Sequence, residues 1–354
     1  MNAQFTQHNL IFKQASGTSR GVLTTKETYL LEISENNKKG IGECAIFRGL
    51  SYDDVPDYEE KLTWLCENIN LDFEVLKKEL LHYPSIIFGL EQALLNLEHG
   101  EDLYFPSDFT DGKDSIKING LIWMGNADFM QSQIEEKLAK GFDCIKLKIG
   151  VDWKSEKEII KKLREKFPKE QLELRVDANG AFSYEEATIV LQELADLGIH
   201  SIEQPIKKSQ VKSKKSQETD EINSTVCCAP WNEMAKLCAE TPTPIALDEE
   251  LIGVIDFEEK KKLLETIKPQ YIILKPALVG GFSGSDEWIA IAESLGINWW
   301  ITSALESNIG LNAICQYTYT KKNPLPQGLG TGALFTNNFE THLQLEGDQM
   351  WHKK

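Results

Sequence analysis

The sequence predicts an α/β protein: a modified (β/α)8 barrel of the TIM type, carrying an α+β capping domain. Three observations predict it. From about residue 115, short apolar runs alternate with amphipathic segments. About eight such units follow one another. Polar residues close five consecutive runs, spaced one unit apart. Strand–helix alternation implies parallel strands, and about eight units imply a closed barrel. A doubly wound open sheet is the alternative, but no Gly-rich phosphate fingerprint follows its first strand.

The first hundred residues read differently. Residues 5–13, 20–33 and 40–45 read as strands, since Thr28–Ile33 is rich in β-formers. Asn36-Asn37-Lys38-Lys39-Gly40 reads as a turn. Residues 57–68 and 84–99 read as helices. Pro84-Ser85 opens the second, with Ile87, Leu90, Ala93, Leu94 and Leu97 at helical spacing. Strands followed by helices suggest a compact α+β domain over residues 1–112.

The barrel is expected over 113–332, and 333–354 is expected to return to the capping domain. Its strands fall at 116–122, 144–149, 172–176, 201–203, 245–247, 271–275, 299–302 and 326–329. Helices follow the first two, at 127–140 and 155–167. Residues 207–225 are polar and nearly free of apolar side chains. They read as a surface insertion, a solvated loop rather than a basic binding patch.

Composition narrows the function classes. The chain has 354 residues, 41% hydrophobic and 26% charged, as in soluble globular proteins. A net charge of −17 argues against nucleic acid or an anionic membrane as partner. The start, MNAQFTQHNLIFKQ, lacks the pattern of a secretory signal, and no run reaches the ~18 apolar residues of a membrane span. Seven Cys at irregular spacings, without a CxxC pair, suggest neither a disulfide framework nor a zinc site. A reduced, cytoplasmic protein is expected. Nothing in the sequence sets an oligomeric state.

Chemistry gathers where the strands end. Lys148, Asp177, Glu203, Asp248 and Lys275 each close an apolar run, at steps of 29, 26, 45 and 27 residues. A βα unit of such a barrel takes roughly 30 residues, and the long step contains the insertion. All five then sit at the barrel's C-terminal mouth, where barrel active sites lie. One such acid alone is an ordinary strand-end cap. Three converging acids would repel, and a hard divalent cation removes the conflict. Oxygen-only ligands favour Mg²⁺, with Mn²⁺ the alternative, over Zn²⁺.

Lys146 and Lys148 lie two apart on one strand and share a face. Side by side they would lower each other's pKa, which makes Lys148 a candidate base. Arg175 precedes Asp177 by two and faces the same way. It is a candidate for binding a substrate acid, or else a structural partner of a barrel acid. Trp299 and Trp300 read as packing residues.

Lys146-x-Lys148, Asp177-Ala178-Asn179, Glu203-Gln204-Pro205, Asp248-Glu249 and the lone Lys275 together resemble the signature of the enolase superfamily, in its muconate-lactonizing subgroup. Gly40–Cys44 and Phe47–Ser51 resemble that family's capping strand and substrate-closing loop. Arg20–Thr24, Leu174–Asn179, Ser303–Ser307 and Gly328–Gly332 resemble most its o-succinylbenzoate synthases. Dipeptide epimerases of the subgroup carry Asp-x-Asp where Gly330-Thr331-Gly332 stands here.

The resemblance implies a small-molecule carboxylate substrate, 2-succinyl-6-hydroxy-2,4-cyclohexadiene-1-carboxylate, losing water to give o-succinylbenzoate for menaquinone biosynthesis. It implies Asp177, Glu203 and Asp248 as metal ligands and Lys148 as base. Lys275 would stabilise charge from the opposite side. Asn179 and Glu249 would lie beside the metal, Ser303 and Glu306 would orient substrate, and Arg48 and Leu50 would sit on the loop above it. Glu306 reads equally well as a helix-start cap. The rival activities are an N-succinylamino acid racemase or related epimerase and, from another class, a non-catalytic ligand-binding relative.

Overall fold

Two facing runs of β-formers open the chain. The computed structural model describes residues 1–18, 21–123, 125–208 and 231–353. An antiparallel sheet joins β1 (Asn2–Thr18), β2 (Gly21–Glu35) and β3 (Lys38–Cys44) in that order. Glu35 pairs with Lys38, so the turn is only Asn36-Asn37, both with positive φ. Asn tolerates that left-handed backbone well, as a two-residue hairpin demands. Lys38–Gly40, expected in the turn, therefore belongs to the strand.

The helices α1 (Tyr58–Asn68), α2 (Phe73–Glu79) and α3 (Pro84–His99) follow. Only α2 was not anticipated; it is two turns long and begins at Asp72, whose side chain accepts from Glu74 N. Strand β3 packs directly on α3. A Cβ at Gly42 would stand 2.0 Å from the Gly89 carbonyl oxygen, so glycine is required there.

The barrel supplies the rest. Its strands are β5 (Gly120–Ile122), β6 (Cys144–Lys148), β7 (Glu173–Asp177), β8 (Ser201–Glu203), β9 (Ile245–Leu247), β10 (Tyr271–Leu274) and β11 (Asn298–Ile301). They lie side by side in chain order, and each neighbouring pair is parallel. Both faces are buried, which accounts for their continuous apolar runs. Around them run α4 (Ala127–Ala139), α5 (Trp153–Lys166), α6 (Tyr184–Asp196), α7 (Asn232–Glu240), α8 (Phe257–Ile267), α9 (Pro276–Val279), α10 (Gly281–Ser294) and α11 (Asn308–Thr320).

The eighth stave, expected at 326–329, is a pair of single rungs rather than a full strand. Gln327 bridges Ile118 and Gly328 bridges Thr302, both parallel. Four backbone bonds of 2.8–3.0 Å close this seam. The expected strand 116–122 also divides. Its first part, β4 (Ile116–Lys117), pairs instead with the terminal hairpin β12 (Leu343–Glu346) and β13 (Gln349–His352).

The segment after residue 332 thus goes two ways. Lys13 N donates to Leu334 O and Thr336 N to Ile11 O, beside β1. Residues 343–352 pack on β4 instead. Of the insertion expected at 207–225, all but Lys207 and Lys208 lies outside the described residues. Among the described residues, no helix is long and apolar enough to cross a membrane. The described cysteines are free thiols.

Buried carboxylates tie the N-terminal layer to the barrel. Glu43 accepts from Ser307 N, Ser307 Oγ and Gly310 N at 2.6–3.0 Å, at the start of α11. Glu91 accepts from Phe282 N and Ser283 N at the start of α10. A carboxylate at a helix N-terminus satisfies free N–H groups and meets the positive end of the helix dipole. Glu43→Ala should strand these donors in a dry interface and cost about 2–4 kcal/mol. Urea unfolding measures this, and an unchanged midpoint would show that Glu43 does not tie the layers.

Candidate active site

Parallel pairing sets the expected residues side by side. Lys148 is the cross-strand partner of Asp177, and Asp177 of Glu203. Asp248 and Lys275 follow the last residues of β9 and β10. The three acids are 1–2% exposed.

Their charges alternate with those of the lysines. Lys148 Nζ lies 2.7 Å from Asp177 Oδ2 and 2.6 Å from Asn179 Oδ1. Lys146 Nζ donates to Glu203 Oε2 at 2.6 Å and lies 3.6 Å from Asp177. Lys275 donates to Asp248 Oδ2 and lies 3.6 Å from Glu203 Oε1. The order is Lys148, Asp177, Lys146, Glu203, Lys275, Asp248.

Glu203 stands in the middle. Burial pushes its carboxyl up, but Lys146, Lys275 and Lys148 outweigh this and hold it low. For Asp177, burial and then the neighbouring Glu203 prevail, and its pKa rises. Asp248 rises well above the usual range, through burial first. Burial opposes the charge on Lys146 and on Lys275, yet the carboxylates around them raise both. The expected mutual lowering of the two neighbouring ammonium groups is therefore not found for Lys146. The acids on its other sides win.

The backbone beyond the strands is held as tightly. Asn179 and Gln204 adopt positive φ. Asn179 Nδ2 donates to Glu249 Oε1 at 3.0 Å. Gln204 Oε1 accepts from Asp248 N and Glu250 N, which locks the turn carrying Asp248.

A cavity opens above this row. Lys146, Lys148, Asp177, Asn179, Glu249, Lys275 and Ser303 line it, and Leu50 roofs it beside Phe47. Glu203 and Asp248 lie beneath the lining. The donor set suits a hard dication: carboxylate oxygens only, with Glu203 Oε1 buried and accepting no hydrogen bond among the described residues. The oxygens of the three acids do not all fall within 4.8 Å of one another, because lysine ammonium groups sit between them.

Three expected contacts are corrected. Of the two readings of Arg175, the structural partner of a barrel acid holds and the substrate contact does not: Arg175 does not line the cavity, is 1% exposed and lies one layer deeper in the barrel. Its guanidinium stacks 4.2 Å from the Trp300 ring, donates to Pro326 O at 2.8 Å and pairs with Glu173 at 2.7 Å. Arg48 points away from the cavity and pairs with Glu27 and Asp54, which pins the loop bearing Leu50. Glu306 is buried and turned back on its own loop, accepting from Ala304 N at 2.7 Å. It is not the cap of α11, which is Ser307. Trp299 and Trp300 are packing residues, as expected.

Phe47 and Thr331 fall within segments the sequence reading had singled out, whereas Asn119, Trp123 and Thr302 line the cavity without having been named as site candidates. Thr302 directly follows β11, so the strand-end rule extended to neutral polar residues would have found it; Asn119 precedes β5 and Trp123 is aromatic, so the rule would have passed over both. Thr331 Oγ1 meets Ser303 Oγ at 2.6 Å across the seam.

Known proteins resemble this arrangement throughout. A family model described as enolase C-terminal domain-like matches residues 130–222 and 227–349. An o-succinylbenzoate synthase of Desulfotalea psychrophila is 42% identical, over 98% of this chain and 98% of the relative. The chain belongs to the enolase superfamily. The crystal structure of MenC from the same organism matches with a TM-score of 0.84 at 39% identity, covering 99% of each chain. An N-succinylamino acid racemase of Thermus thermophilus is 33% identical, over 50% of this chain and 40% of its own. The enolase-superfamily barrel and its antiparallel N-terminal cap are thus one continuous likeness.

The placement of Arg175 generates a test. Arg175→Met should lower stability by about 2–4 kcal/mol, since it leaves Glu173 and the Pro326 carbonyl without their partner. KM for the substrate should stay within about twofold of wild type. A large rise in KM at unchanged stability would return Arg175 to the binding site.

Proposed function

We propose that the chain is a carbon–oxygen lyase that dehydrates 2-succinyl-6-hydroxy-2,4-cyclohexadiene-1-carboxylate to o-succinylbenzoate, a step of menaquinone biosynthesis. One observation carries this reading: the 42% identity to an o-succinylbenzoate synthase extends over 98% of both chains. The likeness to the racemase covers only half of this chain. Gly330 and Thr331 line the cavity where dipeptide epimerases carry acids, so no carboxylate waits there for a peptide ammonium.

Asp177, Glu203 and Asp248 would hold Mg²⁺, or Mn²⁺ in its place. Bound there, it supplies positive charge to a substrate carboxylate that becomes more negative as the neighbouring proton leaves. Lys148 takes that proton, held at the cavity wall by Asp177 and Asn179. The same ammonium then gives its proton to the departing hydroxyl, so water leaves and the lysine is regenerated. Lys275 lines the cavity from the far side of the acids and remains cationic beside Asp248, where it offsets charge on the ring. Lys146 keeps Glu203 ionised and in place. Residues 1–112 act as the cap, with Phe47 and Leu50 keeping water from the ring. The product gains aromaticity, so little more is asked of the protein than charge, a base and orientation.

The test is incubation of purified protein with Mg²⁺ and the cyclohexadiene acid. Succinylbenzoate should form, and a chelator should stop it. If N-succinyl amino acids racemise while no succinylbenzoate appears, the synthase reading falls. Lys148→Ala should cut kcat by about 10²- to 10⁴-fold, the usual worth of a positioned acid–base group. Its Mg²⁺ affinity, read by calorimetry, should remain close to wild type. Full activity in that variant would remove Lys148 as the base.

A further inference from the structure

A second constellation of ligating side chains lies outside the cavity. Asp102 follows α3, His342 precedes β12 and His352 ends β13. Asp102 Oδ2 lies 2.7 Å from His342 Nδ1 and 3.0 Å from His352 Nε2. Among the described residues, this is the group of His, Cys, Asp and Glu whose donor atoms all fall within 4.8 Å of one another.

We propose that Asp102, His342 and His352 form a second metal site, for a transition dication such as Zn²⁺. The donor set is two imidazoles and one carboxylate, which suits Zn²⁺ and not the Mg²⁺ expected at the barrel mouth. Zn–N and Zn–O bonds of about 2.0–2.2 Å would set tetrahedral donors about 3.3 Å apart. The two separations from Asp102 need open only by a few tenths of an ångström, and the two histidine nitrogens lie within 4.8 Å of each other. The His342 side chain is 45% exposed while that of His352 is fully buried, so the cluster reaches the surface at His342.

A simple hydrogen-bonded clamp accounts for the cluster less well. Both imidazoles crowd one oxygen of Asp102. The other, Oδ1, is buried and accepts no hydrogen bond among the described residues. One carboxylate oxygen readily accepts two donors, so it is the unpartnered Oδ1 that a clamp leaves unexplained and that a cation beside the carboxylate would engage.

The ligands are also held in place before any metal arrives. The Asp102 carbonyl accepts from Asn312 Nδ2 at 2.9 Å and Gln316 Nε2 at 2.8 Å, both on α11. Antiparallel pairing of Leu343 with His352 fixes the two histidines across the hairpin. His352 packs against Phe109 at 5.9 Å. Metal binding would therefore rivet the terminal hairpin to the loop after α3 and to α11.

The experiment is titration of untagged, metal-free protein with Zn²⁺ against a chromophoric chelator, and with Co²⁺ by visible spectroscopy. Wild type should take up one equivalent of Zn²⁺ more than His342→Ala. Its Co²⁺ spectrum should contain an intense four-coordinate band that the variant lacks; an all-oxygen, six-coordinate site at the barrel mouth absorbs only weakly. Zn²⁺ should raise the melting temperature of wild type by more than that of the variant. His342 is half exposed, so the variant should fold, and its Mg²⁺-supported activity should match wild type. Equal Zn²⁺ uptake and equal Co²⁺ spectra in the two proteins would overturn the proposal and leave a hydrogen-bonded clamp.

Discussion

The structure depends on charges that cannot be buried singly. Asp177, Glu203 and Asp248 are almost wholly withdrawn from water, as is Lys146. An isolated charge in such a place costs several kcal/mol, and the attraction of a well-placed opposite charge offsets it. Alternation of acid and lysine meets that condition most fully at Glu203, while at Asp177 and Asp248 burial still prevails. The barrel makes the alternation geometrically simple, because neighbouring parallel strands end at neighbouring points. Moving one strand by a single residue would turn its charged side chain out of the row and leave its neighbours unmatched. The register of β6, β7 and β8 is thus fixed from the chemical end as well as from the apolar core.

The cap is joined to the barrel by the same logic. Glu43 and Glu91 are buried, and each answers the free N–H groups of a barrel helix. These are directional contacts. They orient β3 and α3 over the strand ends and so place the loop bearing Phe47 and Leu50. Arg48 completes that placement from outside by pinning the loop to Glu27 and Asp54. A polar interface of this kind sets position more sharply than apolar contact alone, since a small slide breaks several hydrogen bonds together.

Most of the barrel was legible in the sequence because its signals are local. An apolar run, a polar residue ending it and a regular step suffice to find Lys148, Asp177, Glu203, Asp248 and Lys275. Depth was not legible. Arg175 shares a face with Asp177, but period two reports only the face, and two residues are enough to drop a side chain into the next layer. For Arg48, the loop could be read but not the direction of its side chain. The eighth stave was readable by place and not by form, since two single rungs carry no strand pattern. Asp102, His342 and His352 lie far apart in sequence, and only the folded chain brings them together.

The seam at Gln327 and Gly328 separates two kinds of wall. Strands β6 to β10 carry the charged row. Around the seam, between β5 and β11, the lining is neutral: Asn119, Thr302, Ser303 and Thr331. A side chain exchanged on the neutral arc changes the shape and hydrogen bonding offered to a ligand while every ion pair on the other arc keeps its partner. The barrel is thereby modular in cross-section. One half-circle holds the reactive apparatus constant, and the other is free to be retuned for a different guest.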